Sequence, residues 1–186
     1  MDGKAHKKNL IYLTGFMGSG KSTLAPILAN TLGYSHRDID TEIERITGKR
    51  VTTIFSDQGE EFFRDVERKI LLEVSSTQQG CVISLGGGTI ANDTNLRIIK
   101  SSGVLVYLKA DADQIFRRMR FKTDRPLLKA KDGRPLSEEE MRARINALLV
   151  QREPYYQHAD VTIMTDARNV GATIDEIVRA IGRLVD

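Results

Sequence analysis

The sequence predicts an α/β fold in which a five-stranded parallel sheet is flanked by helices. Two observations carry the prediction: short apolar runs alternate with longer segments of helical period, and the first run leads through a glycine-rich turn into a helix. Such alternation is typical of βα units, whose crossover helices cover a parallel sheet. The predicted strands are Asn9–Leu13, Ser35–Asp38, Cys81–Leu85, Val104–Leu108 and Val161–Met164.

Helices are predicted between these strands, where apolar residues recur at helical spacing. A capping box supports the start of the seventh helix, since Glu140 stands three residues after Ser137. The predicted helices are Lys21–Leu32, Thr41–Thr47, Thr52–Gln58, Glu60–Ser75, Thr94–Ser101, Asp113–Arg120, a helix from Ser137 to about Arg152, and a last helix capped by Asn169.

The stretch Phe121–Pro135 has neither a helical nor a strand period. It is polar and carries two Arg-Pro-Leu triplets and a Lys-Asp-Gly turn. A loop of that length inside a compact domain is usually functional and often closes over a site. We therefore predict a mobile lid over about residues 112–136, within a single domain that spans residues 1–186.

Composition places the chain among ordinary globular proteins. With 186 residues, 40% of them apolar and 28% charged, it can bury a core without disulfides or a structural metal. Its single cysteine, Cys81, excludes an intramolecular disulfide and suits a reducing compartment. The polar start lacks the apolar stretch of a signal peptide, and no run is long enough to cross a bilayer. We expect a cytoplasmic protein without a membrane partner, and a monomer.

The net charge limits the possible partners. A formal charge of +3 suits an enzyme that handles phosphates and carboxylates, but it is too small to indicate nucleic-acid binding. We therefore expect small-molecule substrates and no nucleic-acid partner.

The segment Gly15-Phe-Met-Gly-Ser-Gly-Lys-Ser22 matches the P-loop pattern of a glycine, four residues, and then Gly-Lys-Ser. Glycines let backbone N–H groups curl around a phosphate, and the following helix adds its positive N-terminal end. Lys21 can then reach the β- and γ-phosphates of ATP, while the Ser22 hydroxyl is a ligand for Mg²⁺. The residues predicted to contact ATP in this segment are Gly18, Ser19, Gly20, Lys21, Ser22 and Thr23.

A second carboxylate near the metal is expected at the end of a neighbouring strand, and two places in the sequence offer one. Asp111 follows a predicted strand, but it stands just before a helix and has an ordinary interpretation as its N-cap. Asp38 and Asp40 alternate along a predicted strand end, so one could serve the metal and the other a substrate hydroxyl. The alternative is that Asp40 merely caps the next helix.

Four separated segments together resemble the shikimate kinase family. They are the P-loop with the following residue (Gly15–Thr23), the Asp38-x-Asp40 pair, Phe63-Arg64-x-x-Glu67 and the triple glycine Gly86–Gly88. Arg125-Pro-Leu-Leu128 and Arg152-x-Pro-x-Tyr156 extend the resemblance, which covers about residues 10–184. It implies a P-loop fold of the nucleoside-monophosphate-kinase type and transfer of the γ-phosphoryl group of ATP to the 3-hydroxyl of shikimate, a step towards chorismate and the aromatic amino acids.

The resemblance also implies a role for each matching residue. Lys21 contacts the phosphates, and Asp38 supports Mg²⁺ through water beside Ser22. Asp40 binds the ring hydroxyls of shikimate and is the candidate base. Arg64 and Arg152 grip the substrate carboxylate, and Gly87 lets the backbone approach the substrate. Arg125 meets the transferring phosphoryl group when the lid closes, and Arg118 and Arg168 lie near the adenine.

Three other functions compete with this interpretation. A kinase for another hydroxy-acid, such as gluconate, would use the same arginines for a carboxylate. A regulator that binds the nucleotide without catalysis would share the P-loop. The eight basic residues between Arg117 and Arg134 could form a nucleic-acid patch, although acidic residues interrupt them. Taken alone, Arg64 could also form only a solvated ion pair with its acidic neighbours.

Overall fold

The structure, a computed structural model, describes residues 9–122, 128, 134–165 and 169–184. The strands are Leu10–Thr14 (β1), Ser35–Asp38 (β2), Cys81–Ser84 (β3), Gly103–Lys109 (β4) and Val161–Met164 (β5). The helices are Lys21–Leu32 (α1), Ile39–Thr47 (α2), Val51–Asp57 (α3), Gly59–Ser75 (α4), Asp93–Ser102 (α5), Ala112–Met119 (α6), Glu138–Tyr156 (α7) and Val170–Ile181 (α8), with a 3₁₀ turn at Thr89–Ala91.

The five strands form one parallel sheet in the order β2-β3-β1-β4-β5. Strand β1 lies at its centre, with Leu10 aligned to Cys81 of β3 on one side and to Gly103 of β4 on the other. The chain leaves β1 in one direction to reach β2 and later crosses to the opposite side to form β4. Ligands of such sheets bind at the carboxyl ends of the strands where the order reverses, which here is between β1 and β3. The predicted sheet is confirmed.

The sheet is buried on both faces, as a parallel sheet with crossover helices must be. All five residues of β1 are buried. Tyr12 packs on one face in a cluster that includes Leu71 of α4 and Ile99 of α5. Ile11 and Leu13 pack on the other face with apolar residues of α1 and α8. The two-residue alternation along β1 therefore joins two helical layers to one sheet.

The start of α2 differs from the prediction. The helix begins at Ile39, because the carboxylate of Asp38 accepts a hydrogen bond from the Thr41 backbone N–H (3.1 Å) and acts as the N-cap. The alternative that Asp40 caps this helix is wrong, since Asp40 lies inside its first turn. Asp111 does cap α6 through the Gln114 N–H (2.7 Å), as its ordinary interpretation predicted.

Two helices contain a proline. Helix α7 continues through Pro154 to Tyr156, so the predicted end at Arg152 is wrong. Proline cannot donate to the carbonyl four residues earlier, which here belongs to Val150, a residue that is 76% exposed. Pro26 lies within α1 in the same way, and α1 remains continuous from Lys21 to Leu32.

The predicted lid falls partly within the described residues. Its first part is helix α6, and Leu128 is buried in an apolar cluster that includes Phe16 and Ile145. The predicted capping box at the start of α7 is confirmed: Glu140 N donates to Ser137 Oγ (3.2 Å), and Ser137 N donates to Glu140 Oε2 (2.8 Å). Among the helices that the structure describes, none is long and apolar enough to cross a membrane.

Candidate active site

A cleft with a volume of about 820 Å³ opens at the carboxyl ends of the strands. It contains the P-loop, the start of α2, one face of α4 and the turn after β3. The candidate residues that line it are Gly18, Ser19, Gly20, Lys21, Ser22, Thr23, Asp38, Asp40, Arg64, Gly87, Arg118 and Arg152. The remaining two candidates, Arg125 and Arg168, lie outside the described residues.

The P-loop turns through left-handed backbone conformations at Gly18 (φ 79°) and Gly20 (φ 104°), which favour glycine. Gly15 also has positive φ, and a Cβ there would come within 2.5 Å of the Leu108 carbonyl oxygen. The loop therefore runs directly against β4 before α1 begins at Lys21. Lys21 Nζ donates to the carbonyl oxygens of Gly15 (2.6 Å) and Phe16 (3.3 Å), which places its ammonium group along the loop.

Arg118 connects the P-loop to the end of β5. One amino group of its guanidinium donates to the Gly18 carbonyl oxygen (2.8 Å), and the other donates to the Thr165 carbonyl oxygen (2.5 Å). The next residue, Met119, packs against Gly18, where an added Cβ would be 3.3 Å from Met119 Cγ. Helix α6, the first part of the predicted lid, is thereby fastened to the phosphate-binding loop.

Asp38 and Asp40 line the cleft together, although they lie on different elements. Asp38 is half-buried at the end of β2, and its Oδ1 accepts the capping bond described above. Asp40 lies in the first turn of α2 and lines the cleft. Burial, together with the nearby carboxylates of Asp38 and Glu67, raises the pKa of Asp40 to about 6, although the Lys21 ammonium opposes the rise. Since Asp40 is also exposed to solvent in the cleft, we expect water to screen part of this effect.

The triple-glycine turn, Gly86–Gly88, packs against three charged side chains of the cleft. At each of the three glycines, an added Cβ would lie closer to one of these charged groups than most Cβ atoms in proteins lie to any neighbour. From the added Cβ, the distances are 3.2 Å at Gly86 to Asp40 Oδ1, 2.7 Å at Gly87 to Arg152 Nη1 and 2.8 Å at Gly88 to Arg64 Nη2. The sequence predicted close approach of backbone to substrate here, and the structure shows close approach of Asp40, Arg64 and Arg152 to the turn.

Arg64 is both ion-paired and part of the cleft. It forms ion pairs with Glu60 (3.1 Å) and with Glu67 (2.8 Å), whose side chain is only 1% exposed. Glu67 also accepts a hydrogen bond from the Thr89 hydroxyl (2.6 Å). Burial alone would lower the pKa of Arg64, but the two carboxylates outweigh it and raise that pKa. The ion pairs of Arg64 are therefore confirmed, and the same side chain lines the cleft, where its role in substrate binding stays a prediction.

Sequence reasoning missed the residues that support the two arginines. Glu67 and Tyr156 were noticed only as parts of motifs, and no role was inferred for Thr89. Helical spacing offered a signal, because Glu67 stands three residues after Arg64, and Tyr156 four residues after Arg152, on the same helix faces. Thr89 is distant in sequence from Glu67, so only the fold brings their side chains together.

Similarity to known proteins agrees with this geometry. A family model described as shikimate kinase matches residues 17–182. The chain belongs to the shikimate kinase family. A shikimate kinase of Chlorobium limicola is 46% identical over 177 residues, which cover 95% of this chain and 88% of that one.

Solved structures of family members have the same fold. A shikimate kinase from Bacteroides thetaiotaomicron superposes with a TM-score of 0.83 at 31% identity, covering 93% of this chain and 98% of that one. Another, from Acinetobacter baumannii in complex with shikimate, gives 0.82 at 33% identity, covering 94% and 93%. The predicted family, fold class and ATP-dependent kinase activity are confirmed.

Proposed function

We propose that this member of the shikimate kinase family transfers the γ-phosphoryl group of ATP to the 3-hydroxyl of shikimate, giving shikimate 3-phosphate and ADP. The observation that carries the proposal is the triple-glycine turn, around which Asp40, Arg64 and Arg152 meet within one cleft that also contains the P-loop. Consecutive Cα atoms are about 3.8 Å apart, so side chains against three successive glycines lie within reach of one small ring.

The two guanidinium groups suit the acid end of the acceptor. Arginine offers planar, bidentate geometry to a carboxylate, and Arg64 and Arg152 face adjacent glycines from different helices. Asp40 faces the glycine on the other side of the turn from Arg64 and accepts hydrogen bonds from the ring hydroxyls. An acceptor with a carboxylate at one end and hydroxyls at the other therefore matches the charges around the turn.

Asp40 is the candidate base for the transfer. A carboxylate with a pKa near 6 is mostly ionised at neutral pH and is still basic enough to take a proton. The 3-hydroxyl oxygen bonds to the γ-phosphorus as Asp40 accepts its proton. The bond from that phosphorus to the β–γ bridging oxygen breaks, and ADP leaves. Lys21 and the P-loop N–H groups stabilise the charge on the phosphoryl oxygens.

The metal site that we propose uses few protein ligands. Ser22 and Asp38 both line the cleft, and no group of three or more His, Cys, Asp or Glu residues that could hold a metal occurs in the part of the chain that the structure describes. That donor set fits Mg²⁺, which is usually held by one or two protein groups together with nucleotide phosphates. When bound, the ion neutralises phosphate charge, with Ser22 as a direct ligand and Asp38 acting through water.

Arginines surround the remaining parts of the nucleotide. Arg118 donates its amino groups to two backbone carbonyls, so the planar face of its guanidinium can stack on the adenine. We assign Arg168 to the same neighbourhood and Arg125 to the transferring phosphoryl group, as the family resemblance implies. We also propose that the enzyme is a cytoplasmic monomer, and the buried, reduced Cys81 suits that compartment.

The basic residues of the lid region do not favour a nucleic-acid partner. Arg118 is engaged as described, and Arg134 forms a bidentate pair with Glu140 (2.7 and 2.9 Å). Internal partners of this kind take basic groups away from a phosphate-binding stripe. A kinase that uses small molecules explains them more simply.

The test is ADP release from Mg·ATP by the purified protein, with shikimate, with gluconate and without an acceptor. We expect release that requires shikimate and is weak with gluconate, and ³¹P NMR should identify a phosphate ester at the 3-hydroxyl. Release with gluconate alone would change the acceptor. ATP binding without acceptor-dependent release would indicate the non-catalytic regulator.

A further inference from the structure

The guanidinium of Arg152 contacts residues from other segments of the chain, in addition to its own helix. It lies in the last turn of α7, and its guanidinium carbon is 5.6 Å from the centre of the Phe16 ring. The guanidinium packs directly on Gly87, beside the hydroxyl of Tyr156: a Cβ added to Gly87 would lie 2.7 Å from Arg152 Nη1 and 3.7 Å from the Tyr156 hydroxyl oxygen. Because arginine has many rotamers, contacts of this kind determine where its charge stands.

The Tyr156 hydroxyl contacts two substrate-binding elements at once. It donates a hydrogen bond to the Gly87 carbonyl oxygen (3.2 Å), and on the same glycine it lies beside the Arg152 guanidinium. Tyr156 is fully buried. Burial raises the pKa of this phenol, while Arg152 opposes the rise, so the hydroxyl keeps its proton and remains a donor to Gly87.

The ring of Tyr156 is itself fixed by strand β4. It stacks on Tyr107, with ring centroids 4.7 Å apart and an angle of 22° between the planes. The Tyr107 hydroxyl donates to Glu153 Oε2 (2.9 Å), and Lys109 donates to Glu153 Oε1 (2.6 Å). The last turn of α7, which carries Arg152, is therefore fastened to β4 at two residues that follow that arginine, Glu153 and Tyr156.

We propose that Tyr156 is a positioning residue, whose hydroxyl fixes Arg152 and the Gly87 carbonyl relative to each other and thereby sets the affinity for the carboxylate of the acceptor. The proposal rests on the function proposed above, in which Arg152 binds that carboxylate. Tyr156 acts through Arg152 and does not touch the reacting atoms. Its loss should weaken acceptor binding and leave the nucleotide site and the chemical step largely intact.

The test is Tyr156→Phe, which removes the hydroxyl and keeps the stack on Tyr107. We expect the KM for shikimate to rise about tenfold, because the lost hydroxyl holds Gly87 in place beside the guanidinium that binds the carboxylate, while the KM for ATP and kcat change less than about twofold. Tyr155→Phe is the matched control, since the neighbouring Tyr155 is exposed and should tolerate the same deletion.

An acceptor analogue sharpens the test. With the carboxamide of shikimate, which lacks the negative charge, the difference between wild type and Tyr156→Phe should nearly disappear. A purely structural role would lower the melting temperature and weaken both acceptors equally. If Tyr156→Phe does not fold, Tyr107→Phe replaces it, because that change removes one of the two hydrogen bonds that hold Glu153 and should raise the KM for shikimate about threefold without affecting ATP.

The outcomes separate the two proposals. An active wild type with an unchanged shikimate KM in Tyr156→Phe would overturn the positioning role alone. Equal rises in the KM values for ATP and shikimate would also overturn it. A wild type without shikimate-dependent ADP release would overturn the proposed function, whatever the variant does.

Discussion

Replacing Asp40 by asparagine should stabilise the free protein while it abolishes most of the activity. The pKa of Asp40 is raised from 3.8 to about 6 by burial and by its acidic neighbours. A raised carboxyl pKa means that the folded state favours the protonated form. The contribution of protonated Asp40 to the free energy of unfolding is fully present below pH 3.8 and is lost as the pH rises through about 6. Because asparagine does not ionise, the variant avoids this loss of stability at neutral pH.

The magnitude follows from the same values. A rise from 3.8 to about 6 corresponds to about 3 kcal/mol at roughly 1.36 kcal/mol for each pKa unit. Because Asp40 is exposed to water in the cleft, screening should reduce this to about 1 kcal/mol. At pH 7.5, Asp40→Asn should then raise the melting temperature by about 2–4 °C, and below about pH 4 the difference should vanish. Loss of the base should lower kcat by about 10²–10⁴-fold.

The assay pairs thermal unfolding between pH 4 and pH 8 with ADP release at saturating ATP and shikimate. Asp57→Asn is the control, because its hydrogen bonds to Lys49 and Ser56 lower the pKa of Asp57. Asp57→Asn should therefore lower the melting temperature at neutral pH, opposite to the effect of Asp40→Asn. Unchanged turnover in Asp40→Asn would refute the role as base. A melting temperature that falls at pH 7.5 would refute the electrostatic reasoning.

Three further changes test other contacts of the cleft. Arg64→Ala should raise the KM for shikimate about 30-fold or more at unchanged ATP affinity. The change removes one partner of the charge pair between Arg64 and the acceptor carboxylate, and such a truncation costs about 2–5 kcal/mol. An unchanged KM would leave Arg64 as an ion pair only. Gly87→Ala, whose Cβ would meet Arg152 Nη1 at 2.7 Å, should raise the shikimate KM about tenfold or more without unfolding the protein. Thr89→Val should lose about 1–3 kcal/mol in urea denaturation by removing the donor to the buried Oε1 of Glu67, and Thr89→Ser should restore most of it.

The parts of the site that a single local segment determines could be predicted from the sequence. The P-loop is such a segment, because its glycines, the lysine and the following helix lie within a few residues. The cap at Asp38 was missed although it is also local, since Asp38 and Asp40 are equally good capping residues and only the packing of Ile39 decides between them.

Contacts between distant segments could not be predicted in this way. Thr89 and Glu67 are 22 residues apart, and nothing near either of them indicates a partner. The end of α7 was missed for a related reason. A proline normally ends a helix, but the stack between Tyr107 and Tyr156 stabilises the turn that follows Pro154. Long-range packing therefore outweighed a local preference.

The order of the strands explains why the turn after β3 consists of glycines. Neighbouring strands are about 4.8 Å apart, and β3 lies between β2, which leads to Asp38 and Asp40, and β1, which leads to the P-loop. The turn therefore lies between Asp38 and Asp40 on one side and the P-loop on the other. Any side chain on it would take the space of Asp40, Arg64 or Arg152. Three glycines keep that space open, and the charged groups that fill its edge come from α2, α4 and α7.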